Sequence, residues 1–221
     1  MPASFIPLPA YREYAPEDMV ERAASFHGDL ARRRTVRDFS DRPVDRRVIE
    51  QCLLAAGTAP SGANLQPWQF VVIESSALKR KIRAAAEDEE REFYARRAPQ
   101  EWKDALTPLG TDEHKPFLDV APVLIAIFER KHSQLPDGRR VTSYYVTQSV
   151  GIATGMLIAA THHAGLVSLT HTPSPMGFLT GLCGLDRDHR PFLLLVVGYP
   201  SADALVPDIQ RKPLAQIATF I

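Results

Sequence analysis

Four short apolar runs, separated by helical stretches, constrain the fold of this chain more than any other feature. Each run has the length of a strand and is bounded by polar residues, Gly or Pro. They lie at residues 69–73, 120–128, 166–170 and 192–197. Apolar residues at helical spacing predict helices at residues 16–32, 45–56, 77–97 and 143–164. Because helices alternate with only a few short strands, we predict an α+β fold, a helix-rich sandwich.

Composition narrows the class of protein. A length of 221 residues suits one domain, and 26 acidic side chains balance 26 basic ones. Net charge therefore gives no reason to expect nucleic acid or a membrane as partner. Cys52 and Cys183 lie on apolar helical stretches, which predicts reduced thiols and a cytoplasmic location. The start of the chain lacks a signal-peptide pattern and no apolar run approaches membrane-spanning length, so we predict a soluble protein without a metal site.

The first candidate site is a loop rich in Gly, Pro and small side chains at residues 57–68, called here the Gly–Pro loop. It lies between a predicted helix and a predicted strand. Such a loop can bring backbone N–H groups close to a flat or anionic ligand. An ordinary helix-to-strand connection is the alternative.

The second candidate site is a cationic cluster at residues 32–37, with four arginines among six residues. One or two of them could complement the dipole at the end of the preceding helix. Four suit a phosphate site better, because a guanidinium pairs bidentately with phosphate oxygens.

Two further segments suggest a lid and an interface. Residues 98–117 are polar, hold three prolines and a glycine, and predict a long mobile segment, more often a lid than a spacer. The apolar helix at residues 143–164 is expected to be buried nearly all round. Its Gly151, Gly155 and Ala159 form a smooth face for another helix, either of the same chain or of a dimer mate. The apolar end of the chain also needs a surface to lie on.

Several of these motifs, in order along the chain from about Arg33, resemble the iodotyrosine deiodinase branch of the nitroreductase-like flavoproteins. The TAPSGA part of the Gly–Pro loop resembles that family's flavin-contacting loop. Residues 33–37 resemble its RRSVR segment, residues 170–173 its TTTP segment, and residues 206–214 its VPDLKRKPL segment. Asn64 and His171 depart from the family pattern, which has His and Thr at these positions. A soluble, bacterial-type member is the natural interpretation.

The resemblance implies an architecture. We expect a nitroreductase-like helix–sheet–helix sandwich with a small mixed sheet, assembled as a domain-exchanged homodimer with N- and C-terminal arms. The expected organisation is an arm at residues 1–15, an FMN-binding domain at 16–200 with a lid at about 87–117, and an extension at 201–221 that packs on the partner subunit.

The resemblance also implies the site. FMN is expected to contact Arg33, Arg34, Thr35, Arg37, Pro60, Ser61, Gly62, Thr170, His171, Thr172 and Arg211. The amino-acid group of the substrate is expected to be held by Glu90, Tyr94 and Lys115, called here the clamp. Glu90 suits an α-ammonium and Lys115 an α-carboxylate, and Tyr94 lies on the same helix face as Glu90. The Ala63 N–H would hold a phenolate oxygen, and Thr172 would contact flavin N5 and favour one-electron chemistry.

The activity so implied is FMN-dependent reductive dehalogenation of halotyrosines, with Ala63 and Thr172 as the catalytic residues and NAD(P)H as a candidate reductant. A generic NAD(P)H-dependent nitroreductase or quinone reductase is the first alternative, and it would not need the clamp. A flavin-destroying oxygenase, or a flavin-binding protein without turnover, are further alternatives.

Overall fold

The computed structural model describes residues 5–221. The chain divides into two compact units, Met1–Arg33 and Arg34–Ile221. The described part of the first unit contains one helix, α1 (Pro16–Ala31), with Pro at its start and Glu17 and Asp18 in its first turn. The helical spacing of its apolar side chains predicts a face that points inward, but Val20 and Phe26 are exposed.

The second unit contains the other helices and the strands found within residues 5–221. Its α-helices are α2 Arg46–Gly57, α3 Ser76–Glu92, α4 Gln100–Leu106, α5 Phe117–Val120, α6 Val146–His163 and α7 Phe178–Leu182. Its strands are β1 Trp68–Ile73, β2 Val123–Arg130, β3 His132–Gln134, β4 Arg140–Thr142, β5 Val167–His171 and β6 His189–Gly198. The four predicted strands and the four predicted long helices are confirmed, with boundaries shifted by a few residues.

The main sheet has the strand order β1-β2-β6-β5, and every pair of neighbouring strands is antiparallel. β3 and β4 form a separate hairpin. The parallel component of the predicted mixed sheet is limited to one bridge, between Thr35 and Ser168 of the edge strand β5. This bridge places the arginine segment beside the end of the sheet.

Alternate residues of the central strand β2 face two separate apolar cores. Leu124, Ala126 and Phe128 pack with residues of α3, α5 and α7. Val123, Ile125 and Ile127 pack with residues of α2 and α6. Side chains of successive strand residues point to opposite faces, so one buried strand can serve both cores. The predicted helix–sheet–helix sandwich is confirmed.

Local sequence explains how the helices begin. Asp45 caps α2, since its side chain accepts a hydrogen bond from the Arg47 N–H at 2.9 Å. Ser75 caps α3 in the same way through the Leu78 N–H, at 3.4 Å. The helix predicted over residues 77–97 is α3 continued by a π-helical turn, Phe93–Arg97.

Two expectations about long segments are wrong in part. Residues 98–117 contain regular structure, although we predict a long mobile segment there. α4 begins directly after Pro99, and the ring of its Trp102 lies 5.9 Å from that of Phe93. α6 is buried along one face, whereas Ile152 and Gly155 on the opposite face are exposed. Within residues 5–221, none of the helices combines the length and the apolar character needed to cross a membrane.

Candidate active site

A cavity of about 430 Å³ lies between the C-terminal end of β5 and the segment that contains α4. Its floor comes from Leu169 and from the residues that end and follow β5. Its walls come from the end of α3, the π-helical turn, α4 and the residues before α5. It brings together seven of the predicted site residues: Arg37, Glu90, Tyr94, Lys115, Thr170, His171 and Thr172.

The clamp residues lie side by side in this cavity. Lys115 Nζ is 3.5 Å from Glu90 Oε2, and the two side chains are 3% and 14% exposed. Lys115 Nζ also donates hydrogen bonds to Thr111 Oγ1, at 3.3 Å, and to the Asp112 carbonyl. The Tyr94 hydroxyl donates to the Thr111 carbonyl at 3.4 Å. The spacing of Glu90 and Tyr94 on one helix face, deduced from sequence, is therefore realised in the structure.

The environment opposes ionisation of both charged clamp residues. Burial raises the pKa of Glu90, and the nearby Lys115 partly offsets this. Burial likewise lowers the pKa of Lys115, and Glu90 partly offsets that shift. Each charge thus depends on its partner. A zwitterionic amino acid could separate the pair and give each group a new partner of opposite charge.

A set of ion pairs outside the cavity fixes the position of Lys115. The Lys115 N–H donates to Glu87 Oε1 at 2.7 Å. Arg83 bridges Glu87 at 2.7 Å and Asp119 at 2.9 Å, and so ties α3 to α5. Only part of this ion-pair set is predictable from the sequence. Arg83 and Glu87 lie four residues apart on a helix, which is a visible signal, but their link to Asp119 depends on the fold.

His171 lines the cavity at the end of β5 and is 7% exposed. Among the described residues its Nε2 has no hydrogen-bond partner, and its ring lies edge-on to Phe117 at 5.5 Å. Burial, together with the charges of Lys115 and Arg37, lowers the pKa of His171 to about 3. The imidazole is therefore neutral at physiological pH.

Several residues that line the cavity are not predicted from the sequence as site residues. Phe93, Leu106, Thr111 and Phe117 all face the cavity. The aromatic and apolar members give the cavity a surface on which a ring can pack. Their roles are not visible from sequence, because α4 and the turn before α5 reach the clamp only through the fold.

The Gly–Pro loop does not reach this cavity within one chain. Ala63 instead lines a different cavity of about 610 Å³, together with Asn64 and with residues of the β3–β4 hairpin such as Leu135. The structure therefore places Ala63 and the clamp in two separate cavities.

The Gly–Pro loop has an unusual backbone. Ala63, Asn64 and Gln66 have φ values of 46°, 55° and 48°, in the left-handed region that non-glycine residues rarely adopt. Ser61 Oγ closes the turn by accepting the Gln66 N–H at 2.9 Å. A Cβ on Gly62 would lie 2.8 Å from the ring of Tyr144, so a larger residue at this position would require that ring to move. Backbone strain of this kind concentrates at functional sites.

The arginine segment has the chemistry of an anion site. The Arg34 guanidinium donates to the Pro207 carbonyl, and the Leu205 N–H donates to Asp38 Oδ2 at 3.3 Å. These contacts bring the chain that leads to Arg211 alongside the segment. Arg37 lines the clamp cavity itself. A guanidinium at the edge of a cavity with aromatic side chains in its lining has chemistry that fits the phosphate and the flat ring of FMN. Within residues 5–221, no three His, Cys, Asp or Glu side chains group as metal ligands.

Comparisons with known proteins point to one family. Residues 30–199 match the family model described as the nitroreductase family. The chain is 51% identical over 214 residues to an iodotyrosine deiodinase of Haliscomenobacter hydrossis, covering 97% of this chain and 96% of that relative. It is 43% identical over 213 residues to iodotyrosine deiodinase 1 of Homo sapiens, covering 96% of this chain and 74% of that relative.

The structural comparison agrees with the sequence matches. The crystal structure of oxidized iodotyrosine deiodinase bound to FMN and 3-iodo-L-tyrosine superposes with a TM-score of 0.75 at 30% identity. The match covers 88% of this chain and 100% of that one.

Proposed function

This chain belongs to the nitroreductase family and, within it, to the iodotyrosine deiodinases, and we propose that it catalyses the FMN-dependent reductive dehalogenation of halotyrosines. Iodo-, bromo- or chlorotyrosine takes up two electrons and one proton, the carbon–halogen bond breaks, a carbon–hydrogen bond forms, and tyrosine and halide leave.

The observation that carries this proposal is the buried clamp. Glu90 and Lys115 stand 3.5 Å apart in a cavity that also holds aromatic side chains. Glu90 binds the α-ammonium of the substrate and Lys115 binds its α-carboxylate. The Tyr94 hydroxyl donates a hydrogen bond to the same carboxylate. A general nitroreductase or quinone reductase has no use for a buried zwitterion site, since its substrates carry no such group.

FMN supplies the electrons when bound. In the proposal its phosphate is held by Arg33, Arg34, Arg37 and Arg211, with Thr35 adding a hydroxyl contact. The flavin ring is contacted by Pro60, Ser61, Gly62, Thr170, His171 and Thr172. Thr172 hydrogen-bonds the ring edge at N5 and so tunes the cofactor. The segment at residues 87–117 closes over the ligand and excludes water.

A homodimer is part of the proposal, because Ala63 and the clamp line separate cavities of a single chain. The partner subunit's Ala63 completes each site, and its N–H binds the phenolate oxygen of the halotyrosine. Exposed apolar side chains support a partner surface. They include Val20 and Phe26 on α1, Ile152 on α6, and Leu214, Ile217 and Phe220 in the C-terminal extension.

Location and reductant complete the proposal. Both cysteines are free thiols, which fits a cytoplasmic protein. NAD(P)H is the candidate reductant.

A titration tests the binding half of this proposal. FMN-loaded protein is titrated with 3-iodo-L-tyrosine while the flavin fluorescence is recorded. We expect saturable quenching by the halotyrosine, with L-tyrosine far weaker. A protein that carries FMN but shows no quenching with any halotyrosine would instead be assigned to the general reductases of the family.

A further inference from the structure

The turn at residues 61–66 is held from outside by two buried serines. Ser133 in β3 donates a hydrogen bond from Oγ to the Leu65 carbonyl at 3.0 Å. Its Oγ lies 2.9 Å from that of Ser143, which directly follows β4. The two serines are 5% and 8% exposed. Because Ser133 uses its one proton on Leu65, the Ser143 hydroxyl donates to Ser133. The result is a directed relay from Ser143 through Ser133 to Leu65.

The relay ends on a backbone that needs outside support. Ala63 and Asn64 are left-handed, and Gln66 repeats that conformation after Leu65. Strained backbone persists only where the surroundings determine it. Inside the turn, the Asn64 and Leu65 N–H groups donate to the Ser61 and Gly62 carbonyls, each at 3.0 Å. The Leu65 carbonyl points the other way and accepts from the hairpin.

A second contact restrains the opposite side of the same turn. Gly62 is covered by the rings of Tyr144 and Tyr145, the two residues that follow Ser143. The Ser143 N–H is itself fixed by the Lys131 carbonyl at 2.9 Å, at the base of the hairpin. The hairpin and the residues before α6 therefore restrain the turn together. Ser143 connects the two contacts, because it hydrogen-bonds Ser133 and directly precedes Tyr144 and Tyr145.

We propose that Ser133 and Ser143 are positioning residues for the Ala63 N–H, the group that holds the substrate's phenolate oxygen in the proposed function on which this inference rests. By fixing the Leu65 carbonyl, the relay keeps the peptide groups around Ala63 in their left-handed arrangement. Without it, the turn can relax toward unstrained conformations in which the Ala63 N–H no longer aims at the ligand.

The test compares two ligands that differ by one oxygen. 3-Iodo-L-tyrosine and 3-iodo-L-phenylalanine share the halogen and the zwitterion, and only the first has a phenol. Dissociation constants are measured by flavin fluorescence for the FMN-loaded wild type and the Ser133→Ala variant. The wild type should prefer iodotyrosine. In Ser133→Ala this preference should fall about tenfold or more, the effect of losing a hydrogen bond to a charged acceptor, with iodophenylalanine binding unchanged.

Further variants separate positioning from general damage. Ser143→Ala should lower the preference in the same direction but less, and Ser133→Thr should retain it because the hydroxyl is kept. Thr154→Ala is the matched control. It removes an equally buried hydroxyl whose hydrogen bond stays within α6, to the Val150 carbonyl at 2.7 Å, and should leave the preference intact.

The proposal is overturned if Ser133→Ala retains FMN and the wild-type preference. It is equally overturned if the variant loses affinity for both ligands to the same extent, since that would mean general loosening of the site. If Ser133→Ala does not fold, Ser143→Ala is judged by the same two outcomes. A wild type that binds neither ligand would refute the proposed function itself, which is a distinct result.

Discussion

Replacing Lys115 by methionine should separate substrate binding from flavin binding. Methionine is close in length and suits a buried site, so the substitution removes charge with little change in volume. Lys115 is 3% exposed and its Nζ faces Glu90 at 3.5 Å. Solvent screening of its charge is therefore weak, and the interaction it makes with a bound α-carboxylate counts nearly in full.

The size of the effect follows from the kind of bond that is lost. A hydrogen bond to a charged group contributes about 1.5–3 kcal/mol, and each 1.4 kcal/mol corresponds to about tenfold in affinity. Lys115→Met should therefore weaken 3-iodotyrosine binding by about tenfold to about a hundredfold. Burial raises the pKa of Glu90, and Lys115 partly offsets that rise. In the ligand-free Lys115→Met variant the offset is lost, so the pKa of Glu90 should rise further and Glu90 should take up a proton more readily.

The assay is titration of FMN-loaded protein with 3-iodotyrosine, followed by flavin fluorescence, with FMN content measured by absorbance. Glu90→Gln should weaken binding comparably through the α-ammonium. Lys81→Met, at an exposed position of α3, and Glu92→Gln, at a half-exposed carboxylate, are the matched controls and should bind normally. Unchanged iodotyrosine affinity in both Lys115→Met and Glu90→Gln would refute the clamp assignment.

Three further predictions concern other parts of the molecule. His171 has a pKa of about 3 when folded and about 6.5 when unfolded, so the unfolded chain binds more protons between these values and stability falls as pH drops below about 6.5. At pH 5 this term amounts to about 2 kcal/mol, and denaturant unfolding of His171→Gln should show a shallower loss on acidification; an identical pH slope would contradict the assignment. Gly62→Ala should lower the free energy of unfolding by about 1–3 kcal/mol, because the methyl crowds Tyr144, and it should weaken FMN binding. Gly57→Ala is the control, since its added Cβ meets nothing within 4 Å. Equal FMN affinity in the two variants would show that the loop accommodates the methyl. Gly155→Phe adds bulk where the single chain leaves open space, so sedimentation should detect monomers that bind FMN poorly; dimers of wild-type affinity would place the interface elsewhere.

Sequence alone predicts the parts of this protein that depend on local pattern. Apolar runs of strand length locate the four strands of the sheet, and apolar residues at helical spacing locate the four long helices. The spacing of Glu90 and Tyr94 places both on one helix face. Each of these inferences concerns residues close together in the chain, where periodicity decides the outcome.

The remaining features depend on contacts that no local pattern encodes. The pairing of Ser133 with Leu65 joins residues 68 positions apart. The burial of His171 depends on Phe117, which comes from another element. Where α4 lies, the sequence predicts a mobile segment, because Pro99 and Pro108 flank a short polar stretch. Sequence spacing also cannot say that Ala63 and the clamp occupy separate cavities, since motif order along a chain carries no information about which motifs meet in space.

Halide release tests the central claim most directly. FMN-loaded protein is kept reduced by excess dithionite under anaerobic conditions and mixed with 3-iodo-L-tyrosine, and iodide and tyrosine are quantified over time. The account predicts equal amounts of iodide and tyrosine over many turnovers, with Lys115→Met slowed at low substrate concentration. Reoxidation of the reduced protein by nitroaromatics or quinones, with no iodide formed from iodotyrosine, would contradict it.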